Sequence, residues 1–382
     1  MARLKYWVWL SCVTGVRSIV KYRLVEAMGG PDKLFFASKE EILAACPLVQ
    51  EAEADKLMER SMEGPTKALS FCEEHGITLL TMQDAAYPER LRHIPDPPAV
   101  LYVWGKLPAV DDNLLLAVVG TRKATPYGMK MAAKIGEELA RGGAVVVSGL
   151  AEGCDAMAME AALRAGGTTV GVLGTAIDTV YPAKNRALFN EVRVRGALVS
   201  EYPPGARTYP VSFKERNRII TGLSLGVAVV EAPRNSGTRS TADHALEQGR
   251  DVFAVPGNVD APGSAGCNEL IAQGAVPIGG GADVLRSYSA RSDLLRQEPG
   301  EIHIKKEIDK PEDIVYIDLT DQWKSLPQPQ QKILGVMTRP AMHADEIIEA
   351  SGLSAPETLA ALTMLQVTGY VTQEAGKRYT RK

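Results

Sequence analysis

The chain has 382 residues, 45% of them hydrophobic and 23% charged, with a formal net charge of −3. That length exceeds one ordinary core and predicts two or three domains, while the charge excludes a surface that is basic throughout but leaves room for a local basic strip. No apolar run approaches the ~20 residues that a bilayer span needs, and the five cysteines are scattered without a C-x-x-C pair, so the expectation is a cytoplasmic protein with reduced thiols, no metal site and no membrane association.

The first elements, over residues 1–62, read as short helices. "YWVWLSCV" lacks a small-residue cleavage site, so it is not read as a signal peptide. "VTGVRSIVKYRLVEAMGG" places Gly15 in a tight turn ahead of an apolar-periodic helix, and "CPLVQEAEADKLME" reads as a second short unit. A SAM-like or helix-hairpin-helix module and a small helical cap both fit this stretch.

Residues 63–288 form the predicted main domain. Residues 63–110 carry "PDPPAVLYVWG", a Pro-rich lead into the main sheet, and from Leu114 to Gly280 valine-rich runs alternate with helix-like segments. "LLLAVVG", "AVVVSGL", "TTVGVLGT", "ALVSEYP", "GVAVVEAP", "DVFAVPG" and "AVPIGG" are nearly continuous in apolar character, as parallel strands buried on both faces should be. The fold class is therefore α/β, a doubly wound, mostly parallel, Rossmann-like sheet. Residues 289–325 lose periodicity, gain charge and read as a linker. Residues 326–382 give three short amphipathic helices and a hairpin with Gly376-Lys377-Arg378 at its tip, a winged-helix-like pattern that suits either DNA or protein.

In an open α/β sheet, ligands sit outside the carboxyl ends of the strands, so the loops there hold the candidates. In "GTRKATPYG", Gly120 permits a tight turn, Thr121 follows it, and Arg122 offers a planar fork for phosphate oxygens. Arg122 capping a carbonyl or pairing an acid is the alternative. The stretch is neither a P-loop nor G-x-G-x-x-G, so nucleotide hydrolysis and dinucleotide binding lack their signatures. In "SGLAEGCD", Ser148 and Gly149 end a strand, and Asp155 is either a ligand group or a helix cap. In "YPVSFKERNRIITGLS", Lys214, Arg216 and Arg218 crowd beside Phe213 and Tyr209, with Ser212 and Asn217 among them. Charge interleaved with aromatics suits single-stranded nucleic acid; a solvated charge run neutralised by Glu215 is the alternative. Ser236-Gly237-Thr238 opens a helix after a strand and offers donors to an anion. The histidines are dispersed and no nucleophile elbow occurs, so no catalytic residue is assigned.

Taken together and in order, "VGTR…PYG", "SGLAEG-D", "YPAKN", "SEYPPG", "RNRIITGLS", "VVEA…SGT…A", "GRDVFAVPG" and "GCNELIAQGA" resemble the DNA-processing protein A family, DprA or Smf. The resemblance covers roughly Thr78 to Leu285. It implies an extended Rossmann domain that binds single-stranded DNA, forms a homodimer and loads the RecA recombinase during natural transformation, as a mediator without a cofactor rather than an enzyme. It also implies that Arg122 contacts DNA, that Phe213, Lys214 and Arg216 to Arg218 complete a phosphate pocket, and that Lys184 and Asn185 of "YPAKN" are further contacts. The chain departs from the family at Gly153-Cys154-Asp155 and Ala158-Met159, where "GID" and an alanine-histidine pair are common. It departs again at Arg239, within Ser236 to Ala242, where "SGSLITA" is common. Arg239 either adds a phosphate contact or reshapes the pocket. Two rivals stand. A LOG-type enzyme cleaves nucleoside monophosphates, but its "PGGxGTxxE" loop lacks the double glycine and the glutamate here. The other is a nucleotide-sensing Rossmann protein.

Overall fold

The valine-rich runs become strands because branched side chains pack well on a pleated surface that is covered from both sides. In the computed structural model, which describes residues 3–234, 236–289, 326–337, 342–367, 370–374 and 378–381, nine strands form one sheet. They are β1 (Ile77–Thr81), β2 (Val100–Gly105), β3 (Leu115–Val119), β4 (Val145–Ser148), β5 (Thr169–Val172), β6 (Ala197–Ser200), β7 (Gly226–Val229), β8 (Asp251–Ala254) and β9 (Val276–Pro277). Their order is β1-β2-β6-β5-β4-β3-β7-β8-β9. From β6 to β9 all neighbours are parallel, whereas β1 and β2 form an antiparallel extension on β6. The seven predicted strands are β3 to β9. The "VLYVWG" stretch, read only as a lead-in, is itself a strand of the same sheet.

Alternation divides the core. Leu116 and Val118 of β3 face one apolar cluster, while Leu115, Ala117 and Val119 face another. The helices Pro126–Arg141 and Cys154–Arg164 cover the first face. They approach closely because residue 136 is glycine: a Cβ there would lie 2.1 Å from the Ala158 carbonyl oxygen. The helices Asn217–Leu223 and Gly237–Glu247 cover the second face.

The predicted boundary near residue 62 is not a boundary in the packing. Trp7, Trp9, Leu24 and Leu57 of the N-terminal helices belong to the same apolar cluster as Tyr102 of β2 and Val118 of β3, and Met1–Glu301 forms one compact unit. Helical periodicity reveals that these segments are amphipathic, but not what their apolar faces cover. A second unit, Ile302–Lys382, has the helices Gln328–Val336, Ala344–Ser351 and Ala355–Val367 with the strands β10 (Met342–His343), β11 (Val371–Glu374) and β12 (Arg378–Arg381). Its sheet order is β10-β12-β11, around Ile333, Ile347, Leu362 and Tyr379, which is the winged-helix arrangement. The predicted linker beyond Ser289 and the hairpin tip at Gly376-Lys377 lie outside the described residues.

The strand order reverses at β3. The chain runs from β3 to β6 on one side, and from β7 to β9 on the other. The loops after β3 and β7 therefore diverge and leave a crevice at their carboxyl ends.

Candidate nucleic-acid interface

The loop after β3 is fixed at both ends. The Thr121 N–H donates to the Glu231 carbonyl across the crevice at 2.7 Å, and the Thr125 N–H donates to the Glu231 carboxylate at 2.9 Å. Gly120 is required beneath it, because a Cβ there would lie 2.6 Å from the Cys154 side chain. Between these ties Arg122 and Lys123 are exposed. Among the described residues Arg122 neither caps a carbonyl nor pairs an acid. Its guanidinium stands 5.6 Å from the centroid of the Phe213 ring, a cation–π arrangement.

Phe213 lies in the short helix Ser212–Glu215, tilted against Tyr181 with ring centroids 5.0 Å apart. It is seated over Gly174, where a Cβ would come within 2.8 Å of the ring. Lys214 is exposed beside it and has no ion pair among the described residues.

The next two cations behave differently. Arg216 is buried; its guanidinium donates to the Gly149 carbonyl at 2.9 Å and to the Val172 carbonyl. Burial lowers its pKa to about 10, against the opposing attraction of Asp155. Asp155 is buried, accepts the Gly149 N–H at 3.1 Å, and is pushed above the usual carboxylate range by burial, with Arg216 opposing. It thus stitches the loop after β4 to the floor. Arg218 turns away from the crevice. It is buried between Asp96, at 2.8 Å, and Glu201, at 2.5 Å, which together outweigh burial and hold it above its ordinary pKa. The implied phosphate contact at Arg218 is corrected on that ground: both faces of its fork are already engaged.

The crevice is a groove of about 890 Å³. Of the predicted residues it collects Gly120, Thr121, Arg122, Phe213, Lys214, Arg216, Asn217, Ser236, Gly237 and Thr238. The Ser236 hydroxyl is buried there with no hydrogen-bond partner among the described residues. Ser148 is spent in the framework, donating to the Val118 carbonyl at 2.6 Å. Gly149 serves by lacking a Cβ, which would strike the Arg216 guanidinium at 2.5 Å. Lys184 pairs with Glu152 at 2.6 Å, and the Asn185 amide donates to the Leu150 carbonyl at 2.9 Å. Ser212 is buried and faces a neighbouring cavity. Arg239 lies outside the groove, paired with Glu269 at 3.1 Å and Asp243 at 3.4 Å. Sequence reasoning missed Lys123 and Tyr181 as groove residues. Tyr181 opens the "YPAKN" stretch, and an aromatic in a motif of loop residues was the available signal.

Lys123, with Arg122 and Lys214, gives the rim three exposed cations, while Asp155 on the floor is the one acid among the lining residues. Such a lining has the charge to suit a polyanion and ring faces beside it. Beneath it, burial pushes the Cys154 thiol up to about 12, and no histidine is among the described lining residues. Among the described residues no group of three or more His, Cys, Asp or Glu converges to hold a metal ion, and no helix is long and apolar enough to cross a membrane.

Residues 78–289 match the family model for DNA recombination-mediator protein A, and residues 320–377 match that for the DprA winged helix domain. The chain is 34% identical to Protein Smf of Synechocystis over 99% of its own length and 98% of that protein. The X-ray structure of DNA processing protein A from Streptococcus pneumoniae superposes with a TM-score of 0.64 at 31% identity, covering 74% of this chain and 97% of that one. A structure of DNA processing protein A from Helicobacter pylori, described for its single-stranded DNA binding mode, covers 56% of this chain and 96% of its own, with a TM-score of 0.51 at 30% identity.

Proposed function

The chain belongs to the DNA recombination-mediator protein A family, and from that premise we propose that its groove binds single-stranded DNA through Arg122, Lys123 and Lys214 on the backbone and Phe213 and Tyr181 against the bases. The observation that carries this reading is Arg122. It is an exposed cation on a tethered loop, without an acid of its own among the described residues, poised over the half-buried Phe213 ring and its exposed neighbour Tyr181. A charge left unpaired beside ring faces suits a ligand that brings both phosphates and bases. Arg216 supports the floor, and Gly120, Thr121, Asn217, Ser236, Gly237 and Thr238 supply close backbone approach and donors. Lys184 and Asn185 act at most through the loop they fasten.

The protein binds single strands in preference to duplex and without strong sequence preference, because aromatic stacking accepts any base. Fluorescence anisotropy at several salt concentrations tests this. A log–log slope of roughly −0.7 per phosphate contact is expected for single strands, and equal affinity for duplex sinks the reading. The finer role, loading RecA onto incoming DNA as a cytoplasmic homodimer during natural transformation, rests on family membership. Its assay is RecA filament growth on strands coated with single-strand binding protein, and absence of acceleration counts against it. A LOG-type activity predicts free adenine from AMP, and its release would replace the mediator reading with an enzyme.

A further inference from the structure

A second cavity, about 660 Å³, lies beside the groove, between the turn that joins helices Leu4–Cys12 and Ser18–Met28 and the segment 201–215. Its volume falls within the roughly 300–1,000 Å³ of small-ligand sites. Tyr209 lines both the cavity and the groove, so the two share one exposed ring.

The charges in this cavity are unevenly committed. Glu201 accepts from Arg218 and, at 3.1 Å, from the Ser18 hydroxyl; Glu215 accepts from the Tyr202 hydroxyl at 3.1 Å. Arg17 is held by Glu53 and Lys56 by Glu59. Two cations are left. Lys21 donates to the Val13 carbonyl at 2.6 Å and has no ion pair among the described residues, which leaves donors of its ammonium unused. Arg207 lies 5.5 Å from the centroid of the Tyr209 ring and likewise has no ion pair among them. Burial lowers the Lys21 pKa to about 8, against the attraction of Glu201, so the ammonium sits where an incoming anion would relieve it. Tyr202, Pro203 and Pro204 line the same cavity and give it one ring and two prolines.

We propose that this cavity receives a nucleotide unit, with Lys21 and Arg207 as its cations and the Tyr202 to Tyr209 wall against its ring. The inference rests on the groove's being a strand path, and the unit is then the next nucleotide of the same strand, passing over Tyr209. The shared chemistry also admits a free nucleotide, and the test separates the two.

Anisotropy with oligothymidylates of roughly 4 to 16 nucleotides is measured for the full chain and for the variants Lys21→Met, Lys21→Arg and Arg122→Glu. The parent gains affinity with length. Lys21→Met binds the shortest strand as the parent does but loses about tenfold on the longest, the worth of one stacked and paired nucleotide. Lys21→Arg recovers most of that loss, and thermal melting shows all variants folded. Arg122→Glu weakens every length. In a second arm, deoxyadenosine monophosphate is titrated by calorimetry. Binding to the parent that Lys21→Met abolishes, with no dependence on strand length, assigns the cavity to a free nucleotide and overturns the strand continuation. Equal behaviour of Lys21→Met and the parent in both arms overturns the cavity altogether. If the parent binds no strand, the groove reading has failed, and the mononucleotide arm alone decides the cavity.

Discussion

The rim and the framework of the groove are both rich in cations, yet they use them in opposite ways. On the rim, Arg122, Lys123 and Lys214 are exposed and have no ion pair among the described residues. Within the framework, Arg218 is clasped by Asp96 and Glu201, and Arg216 by two backbone carbonyls. Burying an unpaired guanidinium is costly, so the framework can keep its charges only by satisfying them. Water satisfies the rim, and so the rim remains available to a ligand. Stability and affinity should accordingly separate along this line.

The largest effect tests the framework. Arg218→Ala leaves two carboxylates without their shared cation and should destabilise the fold by about 3–5 kcal/mol, while the molecules that remain folded bind DNA as before. Melting and anisotropy on one preparation check it, and a selective loss of binding would return Arg218 to the ligand site. An ion pair among the N-terminal helices has a pH signature of its own. Glu53 is bound by Arg17 and held down at about 2 from an ordinary 4.5, chiefly through its hydrogen bonds to that guanidinium. Its folded pKa lies below its unfolded one, so the stabilisation is complete above pH 4.5 and is lost as pH falls towards 2. A Glu53→Gln variant should therefore melt lower at pH 7 and differ progressively less from the parent as the solution is acidified.

The rim should show the reverse. Arg122→Glu removes a charge-assisted contact of about 1.5–3 kcal/mol and adds a repulsion, giving at least a tenfold loss of affinity with melting unchanged. Early melting with normal binding would break the distinction between the two regions. Phe213→Ala should cost about 1–3 kcal/mol of binding with little change in salt slope, because a ring contributes stacking and no charge. The smallest effect belongs to Lys184→Ala. Its exposed pair with Glu152 is worth about 0–1 kcal/mol, and DNA titration should move by a few-fold at most.

The sheet was legible because its signal is local. "LLLAVVG" and "GVAVVEAP" carry their burial on both faces in their own composition. The Gly120 to Arg122 turn was legible for a related reason: a glycine and a cation at a strand end mark the edge where ligands bind. The fates of Arg216 and Arg218 were not. They are two residues apart in one basic run, but the acids that claim Arg218 come from Asp96 and Glu201, distant in sequence and supplied by other elements. No local pattern distinguishes a cation that meets acids after folding from one that meets water. The N-terminal boundary failed similarly, since the face covered by Trp9 and Leu24 is defined only once β2 is in place. Tyr181 became a groove residue through its contact with Phe213, a pairing across 32 positions that no spacing announces.

The hydrogen bond from Thr121 to the Glu231 carbonyl joins the two loops that part at the reversal of strand order. A single backbone amide therefore reports on whether the jaws of the crevice move as one piece. In the free protein this proton should exchange slowly with solvent. A ligand that only fills a preformed slot would leave that rate almost unchanged, whereas one that must pry the loops apart would accelerate it, so one resolved resonance distinguishes a rigid cradle from a hinged one.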